Sequence, residues 1–161
     1  MVLPRRFILF LTQTFNWIAA GAVVVMMLLT SSDVVLRLFR HPLPGAYEIV
    51  GLLGAIIISF SLAYTSVEKG HIAVEFLVQR FSRGVQACFS VFNDLFSTAL
   101  FAVIAWQTFA YAGDLKRTGE VSLTVQAPVY PFVYGVAIGS GLLCVVLMLD
   151  LLTSLHEIGK K

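Results

Sequence analysis

The sequence predicts an all-α integral membrane protein: four transmembrane helices plus an interfacial amphipathic helix between the second and third. Three observations carry that prediction. Of 161 residues, 58% are hydrophobic and only 12% charged, with 13 phenylalanines. A soluble domain carries about 25% charge, so this chain cannot clothe a water-facing surface. The apolar residues also gather into four long runs, and a fifth segment is polar along one side only. The chain reads as one membrane domain over residues 1–161.

The runs are Trp17–Leu36, Ile49–Val67, Asp94–Ala112 and Val129–Leu149, each 19 to 21 residues long. At about 1.5 Å per residue, that length matches a hydrocarbon core of roughly 30 Å. Lipid offers no partner for open backbone groups, so each run is expected to be helical. Arg5 and Arg6 give the first run a positive start, but the apolar stretch reaches Leu36. That is too long for a signal peptide, and the reading is an uncleaved first span.

In "IAVEFLVQRFSRGVQ", Glu75, Gln79, Ser82, Arg83 and Gln86 recur along one side. Ile72, Phe76, Leu77 and Phe81 occupy the other. A helix over about 72–83 is expected to lie in the interface, with Arg80 snorkelling outward; the alternative is an extension of the third span. Phe76 and Phe81 then face lipid or a partner subunit.

Orientation follows from the lysines and arginines. Arg5, Arg6, Lys69, Arg80, Arg83, Lys160 and Lys161 make seven on one side, against four on the other: Arg37, Arg40, Lys116 and Arg117. The bias places both termini in the cytoplasm of a bacterial inner membrane. "FRHPLPGAYEIVG" and "GDLKRTGEVSLTVQAPVYP" are then both outside. In the second, Gly113 and Gly119 are expected to break the helix, and Pro128 and Pro131 to restart it. Neither loop is long enough for a soluble domain, so capture of an external solute needs another protein.

The charges flanking these turns are the candidate contacts. Asp33 and Arg37 stand at i and i+4, spaced for an ion pair, with headgroup anchoring and subunit contact as further roles. Arg40 anchors at headgroups or docks. Glu48 begins the second span, where a carboxylate caps free N–H groups or meets a partner's basic residue or a lipid headgroup. Gln86, Ser90, Asn93 and Ser97 make a polar stripe beside Asp94, and such a stripe faces protein or water. Glycines 21, 51, 54, 135, 139 and 141 mark faces where helices approach closely.

Several chemistries are set aside. His41, His71 and His156 lie in flanks, where they cannot serve as axial haem ligands within spans. Glu68, His71 and Glu75 share a face that Gly70 interrupts, so no metal site is expected there. Cys88 and Cys144 lack ligand spacing and read as small buried hydrophobes. No Walker loop, nucleophile elbow or zinc-protease motif is present, and no basic run suggests nucleic acid. The expectation is no enzyme, cofactor or metal. A self-contained transporter commonly repeats itself and breaks helices at the midplane; these halves do not match. The chain reads as a scaffold. A small homo-oligomeric exporter and an assembly subunit of an unrelated complex stay open as alternatives.

Three stretches resemble one known family: "SSDVVLRLFRHPLPGAYEI", "EKGHIAVEFL" and "TGEVSLTVQAPVYP". Together they resemble the small membrane subunit of tripartite ATP-independent periplasmic (TRAP) transporters. The resemblance implies a large permease subunit that carries the sodium and substrate sites. It also implies a periplasmic binding protein that captures an organic anion such as a carboxylate or sialic acid. The small subunit would pack against the first, help dock the second and contact membrane lipids. It assigns no catalytic or solute-binding residue here, and the chain resembles the unfused form.

Overall fold

A computed structural model describes residues 3–67 and 83–158, with side chains at 8–67, 89 and 91–152. Four helices account for most of it: α1 (Leu3–Leu38), α2 (Ala46–Val67), α3 (Arg83–Thr118) and α4 (Tyr130–Ile158). Each contains a stretch long and apolar enough to cross a membrane. The protein is therefore a four-span, all-α membrane protein. The expected amphipathic segment, with Phe76 and Phe81, lies outside the described residues, apart from Arg83 at the start of α3.

Three helices clearly exceed their apolar runs, among them α4 with 29 residues. α1 and α3 each have 36 residues, about 54 Å of helix at 1.5 Å per residue, well beyond the hydrocarbon thickness. Hydropathy marks where lipid begins, whereas a helix ends only where a stop signal stands. α3 runs through Gly113, contrary to the expected break, and ends at Gly119, whose φ is 69°. A glycine within a helix costs only about 1 kcal/mol relative to alanine, less than opening the backbone in lipid. At Gly119 the left-handed conformation lets the N–H groups of Gly119 and Glu120 both bond the Leu115 carbonyl, at 3.1 and 3.3 Å. α1 ends the same way on a costlier residue: Arg40 has φ 60°, and the His41 N–H bonds the Leu36 carbonyl at 3.0 Å.

The helices pack in a row, α1–α2–α4–α3, with α1 barely reaching α4. Phe15 meets Phe60 across α1 and α2 with ring centroids 4.5 Å apart, and Phe109 meets Tyr134 edge-on across α3 and α4 at 5.3 Å. The α2–α4 seam is the tightest. A Cβ on Gly139 would lie 2.8 Å from the Ser59 carbonyl oxygen, so only glycine permits that crossing. Ala63, Leu143 and Leu147 close the core beside it, with Phe101 and Leu142 packed on them. Gly135 faces Ile56 across the same seam. Gly21, Gly51, Gly54 and Gly141 depart from the packing expectation within this chain: a Cβ on any of them meets nothing within 4 Å.

A row leaves its edges bare. Trp17, Met27, Leu28, Phe92, Phe96 and Trp106 all stand exposed. Two buried hydroxyls satisfy themselves locally. Thr12 bonds the Leu9 carbonyl at 3.0 Å and Ser59 the Ala55 carbonyl at 3.0 Å.

Candidate partner surface at the turn end of the helices

At one end, the turn joining α1 to α2 lies beside the turn joining α3 to α4, and side chains from the helices stitch each in place. Asp33, one turn before the end of α1, is 6% exposed. Its Oδ2 accepts from Arg37 Nε at 2.8 Å, closing the expected i, i+4 pair. Its Oδ1 accepts from the Leu43 N–H at 2.9 Å, which ties the following turn back onto α1. The Arg37 guanidinium then lies 5.3 Å from the centroid of the Tyr47 ring, a cation–π contact reaching the first turn of α2.

Gly45 has φ 76° and supplies the carbonyl that receives the Glu48 and Ile49 N–H groups at 3.0 and 3.1 Å. A methyl group there would also collide with the Val125 side chain of the other turn. Backbone conformation and contact both demand glycine at this one position.

Glu48 makes the principal link. Its side chain turns away from its own helix N-terminus and toward residues 122–125. Thr124 donates its hydroxyl to Oε1 at 2.8 Å and its N–H to both oxygens at 3.1 and 3.2 Å. The Val125 N–H reaches Oε2 at 3.4 Å, and the Ser122 hydroxyl also donates to Oε2. The receiving turn is closed by a bridge between Val121 and Pro128 and by a Ser122 N–H bond to the Ala127 carbonyl at 2.9 Å. Leu123, at its tip, is 95% exposed.

The structure thus brings Asp33, Arg37 and Glu48 together at one end, with Arg40 exposed beside them. Asp94 lies away from this end, in the first third of α3, half-buried, its backbone carbonyl accepting from Thr98 Oγ1 at 2.6 Å. Ser122, Leu123, Thr124 and Tyr47 belong to the site but were not singled out by charge or spacing. Their signal is two hydroxyl residues, in a loop assigned to the same membrane side, opposite a carboxylate that lacks a basic neighbour.

An apolar groove of about 440 Å³ between α3 and α4 is lined by residues such as Ala102, Trp106, Phe109 and Gly141, and carries no cationic side chain. Among the described residues no cluster of His, Cys, Asp or Glu could hold a metal ion. Comparison with known families finds a match over residues 26–157 to the model described as "Tripartite ATP-independent periplasmic transporters, DctQ component". No curated protein and no solved structure matches the chain.

Proposed function

From the premise that the chain belongs to the DctQ component family of tripartite ATP-independent periplasmic transporters, we propose that it is the scaffold of a sodium-coupled organic-anion transporter. Membership gives the coarse role directly: a small membrane subunit of a transporter, not an enzyme. The proposal adds two contacts. The bare apolar edges pack against a large permease subunit that carries the sodium and solute sites. The turn end faces the periplasm and helps dock a soluble binding protein, with Asp33, Arg37, Arg40 and Glu48 in or behind that surface. Phe76, Phe81 and Asp94 are proposed contacts toward the permease.

The row of helices carries this reading. Four helices side by side enclose no lumen, and no Asp, Glu, Lys or Arg stands between Asp94 and Asp114 in α3 or between Tyr130 and Leu149 in α4. A pathway for an anion needs water or donors along its length. That pathway is assigned to the partner.

The test is reconstitution. Co-expressed with the large subunit, the chain should co-purify with it, and liposomes holding both should accumulate solute when sodium and binding protein are added outside. Liposomes holding this chain alone should accumulate none. Sodium-driven uptake by the chain alone would instead favour a small exporter built from several copies.

A further inference from the structure

The apolar groove between α3 and α4 sets small residues between tall ones. Ala102, Ala105 and Gly141 line it, and a Cβ on Gly141 would meet nothing within 4 Å. Trp106, Phe109 and Ile138 line it too, and their side chains stand exposed. We propose that this groove holds an acyl chain of an anionic phospholipid from the leaflet at the turn end, with Lys116 and Arg117 taking its phosphate. The proposal goes beyond the transporter reading and does not rest on it.

Helical register sets the two cations over the groove. Ala102, Phe109 and Lys116 repeat every seven residues and so share one face of α3. Arg117 follows Trp106 by eleven residues, about three full turns, and both cations are exposed. Asp114, the nearest acid in α3, is five residues from Phe109 and stands about 140° round the helix from it. From Phe109 to Lys116 the axis rises about 10 Å. The headgroup band on each side of the hydrocarbon is about 5–7 Å thick, so with Phe109 at the top of the acyl region Lys116 reaches phosphate depth.

The α4 wall follows the same order. Tyr134 stands seven residues before Gly141 and meets Phe109 edge-on at 5.3 Å and Tyr130 at 6.4 Å. Tyrosine suits the membrane boundary, where its ring is in hydrocarbon and its hydroxyl is wet. At the opposite end the Cys144 thiol reaches the Thr98 carbonyl at 3.8 Å, tying α4 to α3 about one turn below Ala102. Apolar slot, aromatic ring pair and cations thus succeed one another along one line, in the order of acyl chain, ester region and phosphate.

Size and charge select this occupant over a partner's helix. Ala102 to Phe109 spans about 10.5 Å at 1.5 Å per residue, and 440 Å³ divided by that length leaves roughly 42 Å² of cross-section. An α-helix with its side chains, 10–12 Å across, fills about 80–110 Å². A hydrocarbon chain enters the slot; a helix does not. Two cations at one boundary also complement a headgroup of net negative charge, each favouring it roughly fivefold, whereas a zwitterionic headgroup brings its own cation against them.

The chain, purified with the large subunit and stripped of loosely held lipid in detergent, is given equal amounts of phosphatidylglycerol and phosphatidylcholine. Native mass spectrometry then reads the lipid retained. A photo-crosslinking amino acid at position 138 separately reports what covers the groove in native membranes. The parent should retain phosphatidylglycerol in preference and give a lipid adduct at 138. Lys116→Gln/Arg117→Gln should lower phosphatidylglycerol retention about tenfold, to the phosphatidylcholine level, with the melting temperature preserved. Gly141→Leu, which grows into open space, should lower retention of both lipids at an unchanged yield of complex. A large-subunit adduct at 138 overturns the proposal. So does retention unchanged in either variant: loss with the double variant alone is a surface charge effect, and loss with Gly141→Leu alone is an unselective hydrocarbon contact. Failure of the two subunits to co-purify counts against the transporter reading only, and the same lipid measurements on the chain alone then decide the proposal.

Discussion

Arg40 occupies left-handed backbone at the end of α1, where a non-glycine residue costs roughly 1–2 kcal/mol. Substitution there separates charge from strain. Arg40→Ala and Arg40→Gly both delete the cation, but only glycine relaxes the turn. In detergent, Arg40→Gly should melt at or above the parent temperature, and Arg40→Val below it. If the cation steers the binding protein, both Ala and Gly variants should lower uptake partially, and the loss should shrink as binding protein is added in excess. Uptake curves identical to the parent's for both would confine Arg40 to headgroup anchoring. Gly45 obeys a stricter rule. Gly45→Ala meets a collision with Val125 as well as the φ penalty, and should loosen both turns at once. The check is faster hydrogen exchange at the amides of Leu43 and Thr124, each held in the parent by a carboxylate.

Among the helices, the α2–α4 seam is the sharpest target. Gly139→Val would push a branched side chain into the Ser59 carbonyl and should destabilise the purified chain by about 1–3 kcal/mol. Gly51→Val points into open space and should stay within about 0.5 kcal/mol in the chain alone. If it nevertheless blocks co-purification with the large subunit, the exposed face of α2 lies under the partner. The contrast also marks how far sequence reasoning reached. Four helices were legible because lipid-length apolar runs allow no other backbone, and the Asp33–Arg37 pair was legible because four residues make one helical turn. The lengths of α1 and α3 were not, since hydropathy fades where the lipid ends while the helix runs on to its stop signal. Glycines that pack and glycines that face open space look alike in sequence. The Glu48 clamp joins residues more than 70 positions apart, a link that only the fold provides.

For the whole molecule, orientation is the property on which the docking proposal stands. Among the described residues four helices can cross, which would put both ends of the chain on one side, and we propose from the seven-to-four bias of lysine and arginine that this side is the cytoplasm. Single cysteines at Arg40 and Lys116, introduced with Cys88 and Cys144 replaced, should react with an impermeant maleimide from outside intact cells, and one at Lys160 only after permeabilisation. The opposite pattern would invert the protein and remove the turn end from the periplasm.

The order of helices in the row also bears on how the protein is made. During insertion, α1 and α2 can pair as soon as both are in the bilayer, and α3 and α4 likewise form a hairpin. Yet the second hairpin docks through its later member, because α4, not α3, meets α2. A newly inserted α3 thus has little to rest on until α4 follows it, and for that interval it stands alone in lipid. The two hairpins are separate building blocks joined along the Gly139–Ser59 seam and by the Glu48 clamp at the turn end. Cut within 68–82 and expressed as two pieces, they should find each other and re-form the Gly139–Ser59 contact, whereas a chain halted before Tyr130 should leave α3 as a substrate for membrane proteolysis.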